Sequence, residues 1–392
     1  MTQLSEFNIK DQTAIVGVGE SDIGKVPGLS GLALCAQAAR RALEESGLRV
    51  GDIDGLLTAY SFTEPYFMLG TVLSEYLGLQ PRYNASLVVG GATPAVMLKH
   101  AAEAICSGNA TNVLICAGEN RATGQTRDQA LASLMAVGHP YFERPYGASI
   151  PGLYALIAKR WMTEFGLTES QMAAVSVTAR YHASMHPNAH MRKIITVDDV
   201  MNSKPIADPL KLLDCCLISD AGGAIIVTSS SRAKDLRQKP IYLSGIGECH
   251  THEHLTFAPS LTEFGVRLSG NIAYRMSGLG PRDIDVAQLY DCFSIVPLIE
   301  LEELGLCDRG NSGSYFEDGL ARIGGGGVPI NTHGGMLSHA HAGAAGGLFG
   351  IVEAVRQLRG GLGDRQVQGA EVALVHNEGG ILSSNCTAIL TS

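Results

Sequence analysis

Two stretches of the sequence, about 230 residues apart, repeat the same order of elements. The first runs from TAIVGVGE (13–20) through an alanine-rich helical stretch to DIDGLLTAY (52–60). The second runs from IYLSGIGE (241–248) through another helical stretch to DIDVAQLY (283–290). Each copy has the strand, helix and strand pattern of an α/β protein. A repeat at this spacing predicts a chain built from two similar α/β halves.

Both halves then continue in the same way. A glycine-rich turn (88–95), a helix (96–107) and an apolar strand (112–118) follow in the first half. The second half repeats them at 331–343, 347–358 and 372–380. Strands that alternate with helices predict a largely parallel sheet. We therefore predict halves at 1–240 and 241–392.

The segment 119–212 of the first half is too long for a simple loop. Its composition predicts helices at about 149–165 and 169–183. We expect this segment to form a lid or a substrate-binding region.

Charge and cysteine content exclude several functions. The net charge is −9 and no basic run exists, so we expect no nucleic-acid partner. No apolar run is long enough to cross a membrane, and the first twelve residues are polar. Nine cysteines without a CxxC pair predict a reduced, cytoplasmic chain without a structural zinc site. Only 17% of the residues are charged, which favours a subunit interface.

The glycine-rich loop 331–347 contains the strongest candidates for catalytic residues. It contains Ser338-His339-Ala340-His341, and a helix follows it. Glycines let the backbone approach a ligand, and the N-terminus of a helix can bind an anion or an oxyanion. Either His339 or His341 could act as an acid or base. The alternative is a turn whose histidines cap the helix or lie exposed.

Two strand ends supply further candidates. His376 and Asn377 end the apolar run VALVHN, where α/β sheets bind ligands. Tyr290 ends the strand of the second repeat and could transfer a proton, if a neighbour perturbs its pKa. Cys292 is either a nucleophile or a buried, unreactive thiol. Structural roles remain the alternatives for all four residues.

Two further sequence patterns could mark a metal site and a dinucleotide site. The alternating His250, His252 and His254 would face one side of a strand, as metal ligands can, but an exposed sheet edge explains them equally. The turn GVGESDIG (17–24) lacks the GxGxxG spacing of dinucleotide sites. We therefore predict neither a metal nor NAD.

The combined motifs resemble the thiolase superfamily, in its sterol-carrier-protein-x branch. They are LLDCCLISDAGGAIIV (212–227), DIDVAQLYDCFS (283–294), INTHGGMLSHAHAGAAG (330–346) and the terminal VHNEGGILSSN. The resemblance covers the whole chain. It implies duplicated βαβαβαββ halves in α-β-α-β-α layers, with a loop domain inserted in the first half. It also implies CoA thioester substrates, no permanently bound cofactor and a homodimer.

The resemblance also assigns the site. His341 and His376 match the two catalytic histidines of the branch, but Gly90 or Gly91 stands where its nucleophilic cysteine belongs. Without that cysteine, the chain is more similar to members that look like retro-aldolases. These cleave β-hydroxyacyl-CoA thioesters of the kind found in steroid side-chain catabolism, and they have a small zinc-ribbon/OB-fold partner. Their active-site tyrosine matches Tyr290.

From this resemblance we predict a retro-aldol reaction in which Tyr290 is the preferred base and His341 its partner or the acid. The enolate oxygen is assigned to His376, Asn377 and groups around Gly90, Gly91, His339 and Gly380. The alternatives are a thiolase-type acyl transfer through Cys292 or another displaced thiol, and a non-catalytic carrier of acyl-CoA or lipid.

Overall fold

The computed structural model describes residues 9–392, except the side chains of Arg127, Leu131, Leu134 and Ala136. Residues 1–8, where the predicted first half and its polar N-terminus begin, lie outside the described residues. The strands in the described range are β1 (Thr13–Glu20), β2 (Gly55–Ala59), β3 (Tyr83–Leu87), β4 (Asn112–Asn120), β5 (Pro205–Ala207), β6 (Leu210–Lys211), β7 (Asp220–Ser229), β8 (Ile241–His250), β9 (Val286–Gln288), β10 (Val372–Gly379) and β11 (Ser384–Thr391).

The helices of the same range include every helix predicted above. They are α1 (Gly31–Ser46), α2 (Leu69–Leu77), α3 (Thr93–Cys106), α4 (Arg121–Gly124), α5 (Arg127–Ala136), α6 (Ile150–Phe165), α7 (Glu169–Met185), α8 (Val197–Met201), α9 (Ser230–Ala233), α10 (Val266–Ser277), α11 (Ile295–Glu303), α12 (Ser312–Glu317), α13 (Gly335–Ser338) and α14 (Gly346–Arg359). In the part of the chain that the structure describes, no helix combines the length and the apolarity that a membrane span requires.

Nine strands form one mixed sheet in the order β3-β2-β4-β7-β1-β8-β11-β10-β9. The prediction of a largely parallel sheet is wrong, because only β2–β3, β2–β4 and β9–β10 pair in parallel. The physical reason lies in the connections. A turn of four residues joins β10 to β11, and a connection that short permits only antiparallel pairing.

The strand order repeats about the pair β1 and β8. These two strands pair only at Ala14 and Ile15, which face Tyr242 and Ile241. On one side follow β7, β4, β2 and β3, and on the other β11, β10 and β9. The counterpart of β3 is reduced to a single bridge between Ala287 and Ile330. This arrangement agrees with two duplicated halves, while the boundary between residues 240 and 241 stays a prediction.

Three apolar cores separate the helices and the sheet into layers. The central core contains α3 and α14, which pack on β-strands of both halves. The second core packs α1 and α2 on the first half, and the third packs α10 and α11 on the second. Helix α14 is buried almost all round, and its buried polar side chains, Glu353 and Gln357, are hydrogen-bonded to each other. The α-β-α-β-α layering predicted from the resemblance is thus present.

The excursion inside the first half packs against the second half. Helices α6 and α7 occupy the two predicted positions, and Trp161 of α6 is buried in the core that also holds α11. This packing brings Tyr154 and Ile150 of α6 to the carboxyl end of β10, where they line a cavity.

Candidate active site

A cavity of about 490 Å³ lies at the carboxyl ends of β2, β3, β4, β9 and β10. Residues that directly follow these strands form its wall: Tyr60 after β2, Val88–Gly91 after β3, Arg121 after β4, Tyr290 after β9 and Gly380 after β10. Ligand sites of α/β proteins occur at such strand ends. The cavity is therefore the candidate active site.

Five of the eight predicted site residues meet in this cavity. Tyr290 and His341 line it together with Gly90, Gly91 and Gly380. They come from both halves of the chain, and the packing of α3 and α14 between the halves brings them together. Their catalytic or binding roles stay predictions.

His376 and Asn377 do not line the cavity. The His376 ring is fully buried, with Nδ1 2.8 Å from the Thr387 hydroxyl of β11, and burial lowers its pKa to about 3. The Asn377 amide donates to the His376 carbonyl at 3.2 Å. It also lies so close to α14 that a Cβ on Gly347 would stand 2.7 Å from Asn377 Oδ1. Both side chains are enclosed by neighbouring elements, and their predicted roles stay predictions.

His339 is also buried away from the cavity. Its Nε2 lies 3.0 Å from Glu20 Oε1, and Arg356 donates to the other oxygen of Glu20 at 2.8 Å. Among the described residues, Glu20, His186 and His339 are the group whose metal-ligand atoms cluster, within 4.8 Å of one another. Arg356 and His339 keep the pKa of Glu20 low despite its burial.

The three alternating histidines that were considered as metal ligands do not converge. Only His250 belongs to β8, where it contacts Glu248 and Ser384. His252 contacts Thr251 and the Ile381 carbonyl instead. Because the strand ends at His250, the three rings do not share one face.

Gly90 and Gly91 stand where the resemblance leads us to expect a cysteine, and neither position has room for a side chain. A Cβ on Gly91 would lie 2.0 Å from the Tyr290 hydroxyl oxygen and 2.4 Å from the Glu378 carbonyl. Gly90 has a φ of 59°, and its Cβ would lie 2.7 Å from the Gly380 nitrogen. The Tyr290 hydroxyl thus occupies space that a residue larger than glycine at position 91 would need.

The surroundings of Tyr290 favour its protonated form. The ring is buried, and burial together with the nearby Cys292 and Glu378 raises the pKa of its hydroxyl well above 10. A tyrosine that remains protonated is a hydrogen-bond donor and a poor base. The expectation that Tyr290 is the preferred base therefore conflicts with its environment.

His341, unlike Tyr290, is held in its unprotonated form. Burial, and then the charge of Arg121, lowers the pKa of His341 to about 4, so the imidazole is neutral at pH 7. Its Nδ1 lies 3.3 Å from the Leu217 carbonyl, which can only accept a hydrogen bond. Cys216 Sγ lies 3.3 Å from the same Nδ1 and can act as a weak acceptor, so a proton on Nδ1 suits both contacts and leaves Nε2 as the basic atom.

Two cysteines line the cavity, but both are held as thiols. Burial raises the pKa of Cys216 to about 12 and that of Cys292 well above its usual range. The thiolate is the reactive form, so these raised pKa values oppose a nucleophilic role, although Cys216 Sγ lies 3.3 Å from His341 Nδ1.

Sequence reasoning missed two further residues of the cavity wall, Glu378 and Tyr154. The Tyr154 hydroxyl donates to Glu378 Oε1 at 2.5 Å, and the Cys292 thiol approaches the same oxygen at 3.2 Å. Glu378 stands inside VHNEGG, so its position after an apolar strand was an available signal. Tyr154 gave no signal, because only the tertiary packing of α6 brings it to β10.

Comparisons of the sequence and of the structure with known proteins agree with one another. Residues 247–392 match the family model "Thiolase C-terminal domain-like". The chain is 37% identical to the 17-hydroxy-3-oxo-4-pregnene-20-carboxyl-CoA lyase of Mycobacterium tuberculosis, over 96% of this chain and 98% of that protein. It is 32% identical to an acetyl-CoA acetyltransferase of Methanothermobacter thermautotrophicus, over 94% and 96% of the two chains. The solved structure of the "Ltp2-ChsH2(DUF35) aldolase" has a TM-score of 0.86 and 32% identity, over 98% of each chain.

Proposed function

Because the chain belongs to the thiolase superfamily, in its sterol carrier protein 2-like branch, we propose that it cleaves a carbon–carbon bond of a β-hydroxyacyl-CoA thioester by a retro-aldol reaction. The single observation that carries this proposal is the contact between the Tyr290 hydroxyl and Gly91, which fills the place of a nucleophilic side chain with a hydrogen-bond donor. A retro-aldol cleavage needs acid–base groups and no covalent nucleophile.

The substrate class follows from the relatives and from the cavity. One similar protein is a lyase of a steroid carboxyl-CoA thioester, and another is an aldolase. Much of the cavity wall is apolar, formed by Val88, Val89, Val137, Ile150 and Phe293. Such a wall suits a lipid or steroid side chain rather than a charged acyl group.

In the proposed reaction, His341 Nε2 takes the proton of the β-hydroxyl group. The bond between the α and β carbons then breaks, its electron pair forms the thioester enolate, and the β carbon becomes a carbonyl. The Tyr290 hydroxyl donates to the negative oxygen, together with the backbone N–H of Gly380. His376, Asn377 and His339 have no part in this scheme, because they do not line the cavity.

The assembly is also part of the proposal. The "Ltp2-ChsH2(DUF35) aldolase" joins two proteins in one structure, which supports a small zinc-ribbon/OB-fold partner for this chain. We further propose a homodimer, a cytoplasmic location and no permanently bound cofactor.

Acyl transfer is the second candidate, favoured by the acetyl-CoA acetyltransferase among the relatives. It requires a thiolate in the cavity. The raised pKa values of Cys216 and Cys292 and the lack of space at Gly91 oppose it.

The experiment uses 17-hydroxy-3-oxo-4-pregnene-20-carboxyl-CoA, with and without the partner protein. We expect Tyr290→Phe to lower kcat by about 10²–10³, as loss of an oxyanion donor does.

His341→Ala should lower kcat by about 10²–10⁴, as loss of a general base does. Thioester affinity should change little in both variants, which titration of the bound CoA ester measures. Binding without turnover by the wild-type protein in both mixtures would favour the carrier function instead.

A further inference from the structure

One buried carboxyl group of the cavity has no role in the scheme above. Glu378 is 1% exposed and lies at the end of β10. Its Oε1 accepts the Tyr154 hydroxyl at 2.5 Å, and its Oε2 accepts the Leu382 N–H at 3.1 Å. Glu378 and both residues that contact its Oε1, Tyr154 and Cys292, line the cavity.

We propose that Glu378 is the acid that protonates the α carbon of the thioester enolate. This inference rests on the proposed function and completes it, because the enolate must gain a proton before the acyl-CoA product leaves. Gly380, whose N–H is assigned to the enolate oxygen, lies two residues from Glu378 at the same strand end. The enolate oxygen and the α carbon are separated by one atom, so a group near Gly380 is near both.

Three neighbouring titratable groups of the cavity are less suited to this step. Tyr290 donates to the enolate oxygen and has a pKa well above 10. Cys292 and Cys216 are thiols with raised pKa values. Burial raises the pKa of Glu378 to about 7, although the hydrogen bonds from Tyr154, Cys292 and Leu382 oppose the shift. Both its acid and its carboxylate forms are therefore populated at neutral pH.

The groups that face Glu378 come from several elements. Tyr154 comes from α6, Tyr290 and Cys292 from the loop after β9, Cys216 from the segment before β7, and Glu300 from α11. Burial and the charge of Glu378 raise the pKa of Glu300 well above its usual range, which favours the protonated form of Glu300.

The atoms balance without a co-reactant. Cleavage moves the β-hydroxyl proton to His341 and the electron pair of the carbon–carbon bond to the enolate. The O–H bond of Glu378 then breaks as the new C–H bond forms, which leaves a carboxylate. When the products leave, His341 loses its proton to solvent and Glu378 regains one, so both groups return to their starting forms.

The test follows the α protons of propionyl-CoA in D₂O, since exchange at this carbon is the same proton transfer in reverse. We expect the wild-type protein to catalyse the exchange and Glu378→Gln to slow it by about 10²–10⁴. Glu371→Gln makes the same chemical change at an exposed side chain just before β10 and serves as the control. His341→Ala should lose more cleavage activity than exchange activity.

The two reactions should also have opposite pH dependences. Exchange begins with the carboxylate of Glu378, so its rate should rise through about pH 7. Cleavage needs the acid form, so its kcat/KM should fall as the pH rises through about 7. Tyr154→Phe removes a hydrogen bond that lowers the pKa of Glu378, and it should therefore move both midpoints upward.

Each outcome decides the inference. Circular dichroism shows whether Glu378→Gln is folded. If it is not, the shift of the pH midpoints in Tyr154→Phe tests the inference instead, because this variant keeps the hydrogen bond between Glu378 and the Leu382 N–H. Wild-type exchange rates in a folded Glu378→Gln, or unmoved midpoints in Tyr154→Phe, would overturn the role of Glu378. A wild-type protein that exchanges the α protons and cleaves no β-hydroxyacyl-CoA would instead overturn the proposed function.

Discussion

At the scale of single residues, the site depends on a close contact between Gly91 and Tyr290. The tyrosine hydroxyl reaches the backbone of the first-half loop only because position 91 has no side chain. A cysteine at that position and a tyrosine at position 290 exclude one another sterically. Glycine at position 91 therefore both removes the nucleophilic side chain and makes room for the Tyr290 hydroxyl, which is a hydrogen-bond donor.

This contact makes Gly91→Ala a sensitive variant. The added methyl group would meet Tyr290 and also the backbone carbonyl of Glu378, which cannot rotate away. We expect a loss of about 1–3 kcal/mol in the free energy of unfolding, as overpacking causes. We also expect kcat to fall, because Tyr290 must move. Denaturant unfolding and steady-state kinetics measure both effects.

Gly51→Ala is the matched control for Gly91→Ala. Gly51 is exposed, and no atom lies within 4 Å of the position of an added Cβ. Its stability and kcat should stay close to those of the wild type. Equal behaviour of the two variants would show that the contact at Gly91 does not constrain the site.

The sequence predicted part of the site for a physical reason. Tyr290 and His341 could be found because motif spacing and strand ends mark the loops that meet in the cavity. His339 and His341 stand two residues apart in one loop, and sequence cannot tell which ring faces the cavity and which contacts Glu20. The pKa values of Tyr290 and Glu378 depend on burial, which only the tertiary structure reveals.

At the scale of elements, β3 is an edge strand of the sheet. It pairs with β2 on one side, and its residues are exposed or only half-buried. The Gly70 N–H at the start of α2 donates to Ser86 at 3.0 Å, so the segment before α2 lies beside the end of β3. That segment exposes Tyr66, Phe67 and Met68, and Phe67 is 102% exposed. An open edge next to exposed aromatic residues is a site for pairing with another chain.

We therefore expect the proposed homodimer to form through β3. Phe67→Glu should shift the particle from twice the chain mass toward the monomer, because it places a charge in the interface. Leu268→Glu on α10 changes an exposed apolar residue of the other half and should leave the dimer intact. Light scattering measures the mass. A monomeric wild-type protein, or dissociation by Leu268→Glu alone, would contradict this interface.

Strand direction is the feature of the elements that sequence periodicity did not predict. The alternation of strands and helices located β2, β4 and β10 correctly. It did not reveal that β11 and β7 return antiparallel beside β10 and β4, because direction depends on the connection and not on the composition of a strand. Strand β7 is buried on both faces because helix layers cover both sides of the sheet there.

At the scale of the whole molecule, the duplication creates the site. The strands β2, β3 and β4 of the first half and β9 and β10 of the second end at the cavity, and α3 and α14 pack between the two halves. The first half supplies Gly90 and Gly91, and the second supplies Tyr290, His341 and Glu378. A cavity assembled in this way presents acid–base groups from one half to a backbone loop of the other.

The most direct test of the account is the product stoichiometry with 17-hydroxy-3-oxo-4-pregnene-20-carboxyl-CoA in the absence of free CoA, with the protein mass recorded during turnover. The proposed retro-aldol reaction predicts a ketone and a shortened acyl-CoA in equal amounts, with no acylated cysteine and no effect of added CoA on the rate. Cleavage that depends on free CoA, accompanied by an acyl group on Cys292 or Cys216, would contradict it.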